Sequence, residues 1–358
     1  MRAGGVQCAR ETAGEAGALR ADYLLPLRWE QDGAHGQALA ELVGYLADLP
    51  PEVEVTVVDG SAPEVRELHA AALPPGVRHL SAEAVPGANG KVSGVLSALP
   101  HLTHPAVVIA DDDVRYSAEA LREVLRRLER ADLVVPQNVF ATGDGSPLPW
   151  HAGWDTARSC LNRAFGTDFP GTLALRRSVL AGGYDPAVLF ENLELMRTVR
   201  ARGGLTEHAP EVYVERRPPS TRKFAGQRVR QAYDSRAQPL RCAVELMLLP
   251  AVLAGLRRPS LLVAGAAAAV LLAEAGRRRA GGGTVIPAST ALWAPLWLLE
   301  RAACAWIALA AGLRGGIRYG GTRLPTAAHS LGTLRRRERE RAGTGADEST
   351  RERREAWR

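Results

Sequence analysis

The stretch Val107–Val114 constrains this chain most, because a short apolar run is followed at once by three aspartates. An apolar run of this length is typical of a strand that is buried on both faces of a sheet. Asp111, Asp112 and Asp113 cannot belong to the core, because an uncompensated buried charge is far too costly. We therefore expect them at the carboxyl edge of an open α/β sheet, where such folds bind their ligands.

The spacing of these aspartates indicates a metal site. In an extended backbone alternate side chains share a face, so Asp111 and Asp113 are expected to point together and Asp112 away. Two neighbouring carboxylates repel each other unless a cation lies between them. Hard oxygen ligands suit Mg2+ or Mn2+, which often bridge to the phosphates of a nucleotide. The alternative is a solvated acidic turn before a helix at Ser117, favoured by the helix dipole.

Residues 21–238 are predicted to form one domain, in which strand and helix patterns alternate. Strands are predicted over Ala21–Leu27, Val53–Val58, Val77–Leu80, Ala106–Ala110, Leu133–Pro136, Thr172–Arg176 and Val212–Glu215. Helices are predicted over Gly36–Leu49, Ala62–Ala72, Ser117–Arg130, Trp150–Phe165, Ser178–Ala181 and Phe190–Ala201, and a Gly-rich turn with a helix is predicted over Val85–Ala98. This alternation predicts an α/β domain with a mostly parallel sheet and helices on both faces.

Charge and cysteine content narrow the function classes. The formal net charge is +6 and the excess lies mainly after residue 200. That distribution points to anionic lipid or phosphate, and no nucleic-acid partner is predicted. The four cysteines are scattered without metal-ligand spacing, which favours a reducing compartment. Residues 1–20 lack an apolar core, so we expect a disordered N-terminus rather than a signal peptide.

After residue 239 the chain becomes apolar. Three segments, Cys242–Leu256, Leu261–Ala275 and Ala288–Leu313, stand between basic flanks, and none is a clean run of about 20 apolar residues. Basic residues on every flank give no unique topology. We expect membrane-associated helices over 239–334, in an interfacial, re-entrant or hairpin arrangement, with a soluble Ala-rich bundle as the alternative. Residues 335–358 form a charge run and are expected to be a disordered tail.

Three further features accompany the aspartates. Asp59 ends a strand and can accept hydrogen bonds from a base or ribose, although Asp-Gly after a strand is ordinarily a turn. Lys91 follows a glycine turn at a helix start, where it can meet phosphate or be a plain surface lysine. Glu191 and Glu194 stand at a helix N-terminus.

The order of these features resembles the inverting family-2 glycosyltransferases of GT-A fold. Asp59-Gly60-Ser61 resembles that family's nucleotide-contacting acid, and Asp111-Asp112-Asp113 resembles its DxD metal motif. The segments Leu173–Arg177 and Gly182–Asp185 are similar to the region after the acceptor loop. Together the motifs span about residues 21–233.

The later motifs resemble the membrane-coupled members of this family. Glu191–Leu195 resembles the Glu-Asp-x-x-Leu stretch that holds the catalytic base, and Gln227–Gln231 resembles the Q-x-x-R-W motif. Gly87–Val92 and Arg314–Tyr319 look like the ceramide-glucosyltransferase-like branch.

Two positions depart from the pattern. The family's catalytic Asp falls on Asn192, which cannot act as a base, so Glu191 or Glu194 is expected to replace it. The Trp of the basic motif is replaced by Gln231, with Tyr233 the nearest aromatic residue.

The resemblance implies transfer of a sugar from a nucleotide-diphosphate sugar, a UDP-sugar by preference, to a lipid or glycan acceptor. A divalent cation, Mg2+ or Mn2+, on Asp111 and Asp113 would assist. The residues expected to bind the donor are Arg28, Asp59, Lys91, Asp111, Asp112, Gln227, Arg228 and Arg230. Arg228 and Arg230 suit a diphosphate or, equally, lipid headgroups. The expected location is the cell membrane, with the catalytic domain in the cytoplasm.

Two other functions stay open from the sequence. A nucleotidyltransferase would need a Gly-rich signature after the first strand, and residues 26–29 do not supply one. A non-catalytic nucleotide-sugar-binding membrane protein is suggested by Asn192.

Overall fold

The structure is a computed structural model, and it describes residues 20–30, 36–83 and 85–341. The predicted disorder of residues 1–19 and of the tail beyond Arg341 lies outside the described residues.

One eight-stranded mixed sheet organises the first part of the chain. Its strands are β1 (Ala21–Leu27), β2 (Val53–Asp59), β3 (Arg78–Ser81), β4 (Ala106–Ala110), β5 (Val114–Arg115), β6 (Leu133–Phe140), β7 (Thr172–Arg176) and β8 (Thr206–Arg216). The strand order is β3-β2-β1-β4-β7-β6-β8-β5. β1 pairs parallel with β2 and β4, β2 with β3, and β6 with β8, whereas β7 runs antiparallel to both β4 and β6.

Helices cover both faces of this sheet, as the alternation predicts. They are α1 (Gln37–Ala47), α2 (Pro63–Ala72), α3 (Gly90–Ala98), α4 (Ala118–Arg127), α5 (Trp150–Phe165), α6 (Arg177–Leu180), α7 (Glu191–Ala201) and α8 (Thr221–Asp234). α1 and α4 bury their apolar faces on one side, and α3 and α7 on the other. β4 is apolar and buried at every position because both of its faces are covered.

Two local predictions differ from the structure. The aspartates after β4 lie in a turn, in which the Val114 amide donates to the Asp111 carbonyl at 3.0 Å, rather than in extended backbone. β8 is longer than the predicted Val212–Glu215 because it pairs along the whole of β6 through a register shift. The first half of this strand was not predicted because it contains polar residues and lacks an apolar run.

The apolar C-terminal part forms α9 (Pro239–Gly255), α10 (Pro259–Arg278) and α11 (Ala294–Leu313). α10 packs on α5 at Gly276, where a Cβ atom would collide with the Cys160 carbonyl. Two segments, Pro259–Thr284 and Ala288–Leu313, are each 26 residues long and apolar enough to cross a membrane. The first is longer than the predicted run Leu261–Ala275, because it continues into the polar residues that follow, whereas the second has the predicted bounds.

A small hairpin and a last helix close the described chain. The hairpin consists of β9 (Ile317–Tyr319) and β10 (Thr322–Leu324). A helix, α12, follows over residues 331–341. The predicted disordered tail is therefore helical from Arg335 to Arg341, where Arg337 forms an ion pair with Asp185 at 2.8 Å.

Candidate functional site

A cleft of about 840 Å³ opens where strands β1, β2 and β4 end. Leu27, Gly60 and Asp111 line it from those three strand ends, as an open α/β sheet predicts. The predicted site residues that line it are Arg28, Lys91, Asp111, Asp112, Asp113, Glu191, Asn192, Gln227 and Arg230. Asp59, Glu194 and Arg228 lie outside its lining.

The acid pair meets two cations, and we call these four residues the carboxylate rim. Arg216, the last residue of β8, contacts Asp113 at 2.9 Å and Asp111 at 3.7 Å. Lys91 contacts the other oxygen of Asp111 at 2.6 Å. Asp111 and Asp113 thus share a contact with Arg216, and a turn rather than the predicted extended backbone brings them to it.

Protonation behaviour differs between the two acids. Burial acts to raise the pKa of Asp111, but Lys91 and Arg216 outweigh it and hold this pKa below its usual value. Burial raises the pKa of Asp113, and Arg216 only partly offsets that because Asp112 and Asp111 add negative charge beside it. The two carboxylates therefore share a strongly charged, poorly solvated position.

Lys91 also contacts the first two residues of α7. Its ammonium group lies 3.2 Å from Glu191 and 3.3 Å from the Asn192 side-chain oxygen. Burial acts to lower the pKa of Lys91, but Asp111 and Glu191 outweigh it and raise this pKa. Asn89, which caps α3 by accepting from the Lys91 amide, also reaches Glu191 at 3.5 Å. One carboxylate of α7 is therefore fixed in the cleft beside two donors.

Asp112 has a different partner from the other two aspartates, although it lines the same cleft. It accepts a hydrogen bond from the indole nitrogen of Trp29 and lines the cleft near Arg28. Arg28 in turn reaches the Gly320 carbonyl of the β9–β10 turn at 3.5 Å.

Asp59 does not reach the cleft, contrary to its predicted contact with the nucleotide. Its carboxylate is fully buried and binds the Ser61 amide at 2.8 Å, His69 at 2.6 Å and His79 at 3.2 Å. Burial acts to raise the pKa of Asp59, but the hydrogen bonds from Ser61 and His69 lower it overall. Asp59 therefore fixes the turn at Gly60, and Gly60 is the group that lines the cleft.

Glu194 also faces away from the cleft, so it is a poor candidate for the base. It is fully buried, and it accepts from the His329 amide at 2.7 Å and the His329 ring at 2.9 Å. This contact ties α7 to the segment before α12.

The two arginines of the basic motif separate in the same way. Arg228 lies 3.9 Å over the Phe224 ring and 3.2 Å from Asp155, buried between helices. Arg230 lines the cleft and lies 4.8 Å over the Tyr319 ring. The prediction that Arg228 contacts a diphosphate therefore conflicts with its position, whereas Arg230 and Gln227 lie in the cleft wall.

The rim fits a hard divalent cation. Both acids offer carboxylate oxygens, and Asp113 Oδ1 is buried without a hydrogen-bond partner among the described residues. Gly171 contributes space, because a Cβ atom there would collide with the Asp111 carboxylate. Two groups of three possible metal ligands lie elsewhere in the described chain, namely Asp22 with Glu54 and His104, and Asp185 with Glu194 and His329.

Sequence reasoning missed several cleft residues. Arg216 was visible only as the start of a basic run, and Asn89 only as part of a glycine turn. Asp234, Arg241 and Arg301 line the cleft where α8, α9 and α11 meet, and we call them its inner end. An Arg inside an apolar helix was the one signal that marked Arg301.

Comparison with known proteins agrees with the fold. The chain resembles a mannosyltransferase from Pyrobaculum calidifontis, whose structure contains GDP-Man and Mn2+, at 20% identity and a TM-score of 0.51 over 81% of this chain and 88% of that one. It also matches glucosyl-3-phosphoglycerate synthase from Mycobacterium tuberculosis, with Mn2+ and UDP, at 18% identity and a TM-score of 0.37 over 58% and 75% of the two chains. No curated protein matches the sequence significantly. The first likeness confirms the predicted GT-A fold.

The family assignment depends on a match over more than half of the chain. Residues 36–234 match the family model described as glycosyltransferase-like family 2. The matched range contains the carboxylate rim and the start of α7, and it ends at Asp234, the last residue of α8. By sequence and fold the chain belongs to glycosyltransferase family 2.

Proposed function

We propose that this protein transfers a sugar from a nucleotide-diphosphate sugar, with UDP as the preferred nucleotide, to a hydroxyl of a lipid or glycan acceptor, with inversion at the anomeric carbon. One observation carries this proposal. A single cleft brings the acid pair of the rim together with Lys91 and the carboxylate of Glu191.

Donor binding is assigned to the cationic residues of the cleft. Arg28, Lys91 and Arg230 supply positive charge, and a guanidinium can hold a diphosphate with two parallel hydrogen bonds. Gly60 allows the donor to approach the backbone after β2, and Asp59 holds that turn in place from below. Gln227 and Asp112 add polar groups at the edges of the donor site.

Asp111 and Asp113 would hold Mg2+ or Mn2+. The oxygen donors of the rim and the Mn2+ in the mannosyltransferase structure support this assignment. A bound cation supplies charge neutralisation for the diphosphate leaving group. Lys91 and Arg216 neutralise the same acids within the protein, so the rim stays folded while its ligands exchange.

Glu191 is assigned as the general base. It accepts the proton of the acceptor hydroxyl while the hydroxyl oxygen bonds to the anomeric carbon, and the bond from that carbon to the diphosphate breaks. Lys91 and Asn89 orient the carboxylate. Attack opposite to the leaving group inverts the anomeric centre.

Membrane association is inferred from the C-terminal helices. Only 17% of the apolar window of Pro259–Thr284 and 28% of that of Ala288–Leu313 is buried within the protein. Both helices therefore expose large apolar surfaces, which favours a membrane over a soluble bundle. We place the protein at the cell membrane, with the catalytic domain in the cytoplasm.

The proposal is tested with the full chain in detergent micelles, UDP-glucose and GDP-mannose as donors, and Mn2+. Glu191→Gln is expected to slow sugar transfer and nucleotide release by about 10²–10⁴-fold, the usual contribution of a general base. UDP affinity should be unchanged. Glu119→Gln, an exposed acid of α4, is the matched control. Full activity in Glu191→Gln would reject this base.

A second function is favoured by Asn192, whose amide oxygen faces Lys91 and whose nitrogen donates to the Pro170 carbonyl at 2.8 Å. An amide fixed in this way at the family's base position suits a protein that binds a nucleotide sugar without transferring it. Metal-dependent UDP binding without sugar release in the wild type would favour this function.

A further inference from the structure

Arg301 at the inner end of the cleft is a buried cation without hydrogen bonds. Its side chain is fully buried and lines the cleft. Among the described residues no hydrogen-bond partner reaches any of its three guanidinium nitrogens. Its guanidinium lies 4.9 Å over the Trp297 ring, which leaves the N–H donors unsatisfied, so a ligand that accepts from them would lower the cost of burying this charge.

The acids near Arg301 do not neutralise the inner end. Glu245, the nearest, lies 4.0 Å away and is bound more closely by Arg241, at 2.9 Å. One carboxylate thus serves two guanidinium groups. Glu300 pairs with Arg228 at 3.6 Å.

Asp234 faces the same space. Burial raises the pKa of Asp234 to about 7, and Arg230 only partly counters this. A carboxyl group that is partly protonated near neutral pH contributes less than a full negative charge. The inner end therefore combines two guanidinium groups with a single carboxyl group of its own.

The inner end is distinct from the rim but near the proposed base. Asp234, Arg241 and Arg301 line the same cleft as Glu191. The cations in contact with the rim acids are instead Lys91 and Arg216. An anion bound at the inner end would thus share the cleft with Glu191.

Apolar helices border this charge. Arg301 lies within the candidate span Ala288–Leu313, where an ionisable residue generally marks a ligand site. Leu240, next to Arg241 in the chain, is 81% exposed, and Leu299 is 50% exposed. A ligand with an anionic head and an apolar tail matches this combination.

We propose that Arg301 and Arg241 bind a phosphate group of the acceptor, and that the acceptor is a phosphorylated amphiphile whose apolar part lies along α9 and α11. A guanidinium pair suits phosphate because each planar group offers parallel donors to two oxygens. This inference rests on the proposed transfer, since it names the acceptor class of the same cleft.

The test measures binding rather than turnover. The full chain in detergent micelles is saturated with UDP and Mn2+, so that the donor site is filled, and titrated calorimetrically with dihexanoyl phosphatidic acid, inorganic phosphate or dihexanoylglycerol. Arg301→Gln, Arg301→Lys and Arg241→Gln are compared with the wild type. Arg257→Gln removes an exposed arginine in the turn after α9 and controls for general attraction of anions.

We expect phosphatidic acid to bind the wild type more tightly than inorganic phosphate does, and dihexanoylglycerol not to bind measurably. Arg301→Gln and Arg241→Gln should each weaken phosphatidic acid at least tenfold, Arg301→Lys less, and Arg257→Gln not at all. UDP affinity should stay unchanged throughout.

Equal affinity of phosphatidic acid for the wild type and both Gln variants would overturn the proposal. So would a matching loss of UDP affinity, because Arg301 would then belong to the donor site. If inorganic phosphate bound as tightly as phosphatidic acid, the phosphate site would stand, but the proposed contact of an apolar tail with α9 and α11 would be refuted. Arg301-dependent binding without any sugar transfer would leave this site standing while the proposed function fails.

Discussion

The carboxylate rim and the inner end of the cleft contain the same kinds of charged side chain, but their charges are compensated differently. At the rim Asp111 and Asp113 each have a cation within 3 Å, from Lys91 and Arg216 respectively. At the inner end the nearest carboxylate to Arg301 is 4.0 Å away and no hydrogen bond joins them.

The difference follows from what holds each region. The rim is built by strand ends and a helix start of the sheet domain, which bring opposite charges together as they fold. The inner end is built where α8 meets helices whose apolar faces are exposed. Substitutions at the rim should therefore impair chemistry with little unfolding, and the residues packed around the two regions should carry the stability.

The largest effect is expected from Asp111→Asn, which removes one charge from the rim at constant shape. We expect sugar transfer to fall about 10³-fold, equivalent to ~4 kcal/mol of barrier, because the diphosphate loses its neutralising partner. Mn2+ affinity in the presence of UDP, measured by electron paramagnetic resonance, should fall in parallel. Asp185→Asn, in a carboxylate group outside the cleft, is the control. Unchanged Mn2+ affinity in Asp111→Asn would break the proposed role of the rim.

Glu194→Gln separates stability from chemistry on one helix. The substitution weakens two charge-assisted contacts to His329 in a fully buried position, so we expect a loss of ~2–3 kcal/mol in unfolding free energy. Transfer measured well below the melting temperature should be nearly normal, in contrast to Glu191→Gln. A melting temperature equal to that of the wild type, measured by differential scanning fluorimetry, would contradict this assignment.

Strand and helix positions were predictable because apolar runs and periodicity determine them locally. β1, β4 and α5 have the bounds that the sequence suggests. The direction of individual side chains was not predictable. Glu191 and Glu194 stand three residues apart, yet only the fold shows that His329, 135 residues later, takes one of them.

The same reason explains the other corrections. Arg228 and Arg230 must face different sides of α8, but the sequence does not say which side is the cleft. Asp59 was predicted to contact the nucleotide because its true partners, His69 and His79, lie 10 and 20 residues later in the chain. The local sequence around Asp59 gives no sign of them. The rim aspartates were predicted correctly as lying at the sheet edge, because three consecutive acids after a buried strand cannot be placed in the apolar core.

The network beneath the inner end gives a pH-dependent test. Asp155 on α5 binds Arg228 at 3.2 Å and Arg158 at 3.3 Å. Burial acts to raise the pKa of Asp155, but these two arginines outweigh it and lower the pKa from 3.8 to about 2. Because the folded pKa lies below the unfolded one, the stabilisation is complete above about pH 4 and is lost as the pH falls toward 2.

This contribution is ~2 kcal/mol, because folding lowers the pKa of Asp155 from 3.8 to about 2. Asp155→Asn should lower the unfolding free energy at pH 7 by about this amount and flatten its decline between pH 4 and 2. Urea denaturation of the full chain in detergent at several pH values measures both. Asp48→Asn, an exposed acid, is the control. If the unfolding free energies of the wild type and Asp155→Asn stayed parallel as functions of pH down to pH 2, the ion pairs of Asp155 with Arg158 and Arg228 would not be a source of stability.

The smallest expected effect separates the two arginines of α8. Arg230→Lys keeps the charge in the cleft but loses the planar stacking on Tyr319, a contact worth ~1 kcal/mol. The KM for the donor should therefore rise about fivefold while kcat is unchanged. Arg228→Lys should leave this KM unchanged and lower the melting temperature, because its guanidinium lies over Phe224 and beside Asp155 outside the cleft. A larger rise in the donor KM for Arg228→Lys than for Arg230→Lys would contradict this assignment. It would mean that the face of α8 with Arg228, and not the face with Arg230, contacts the donor.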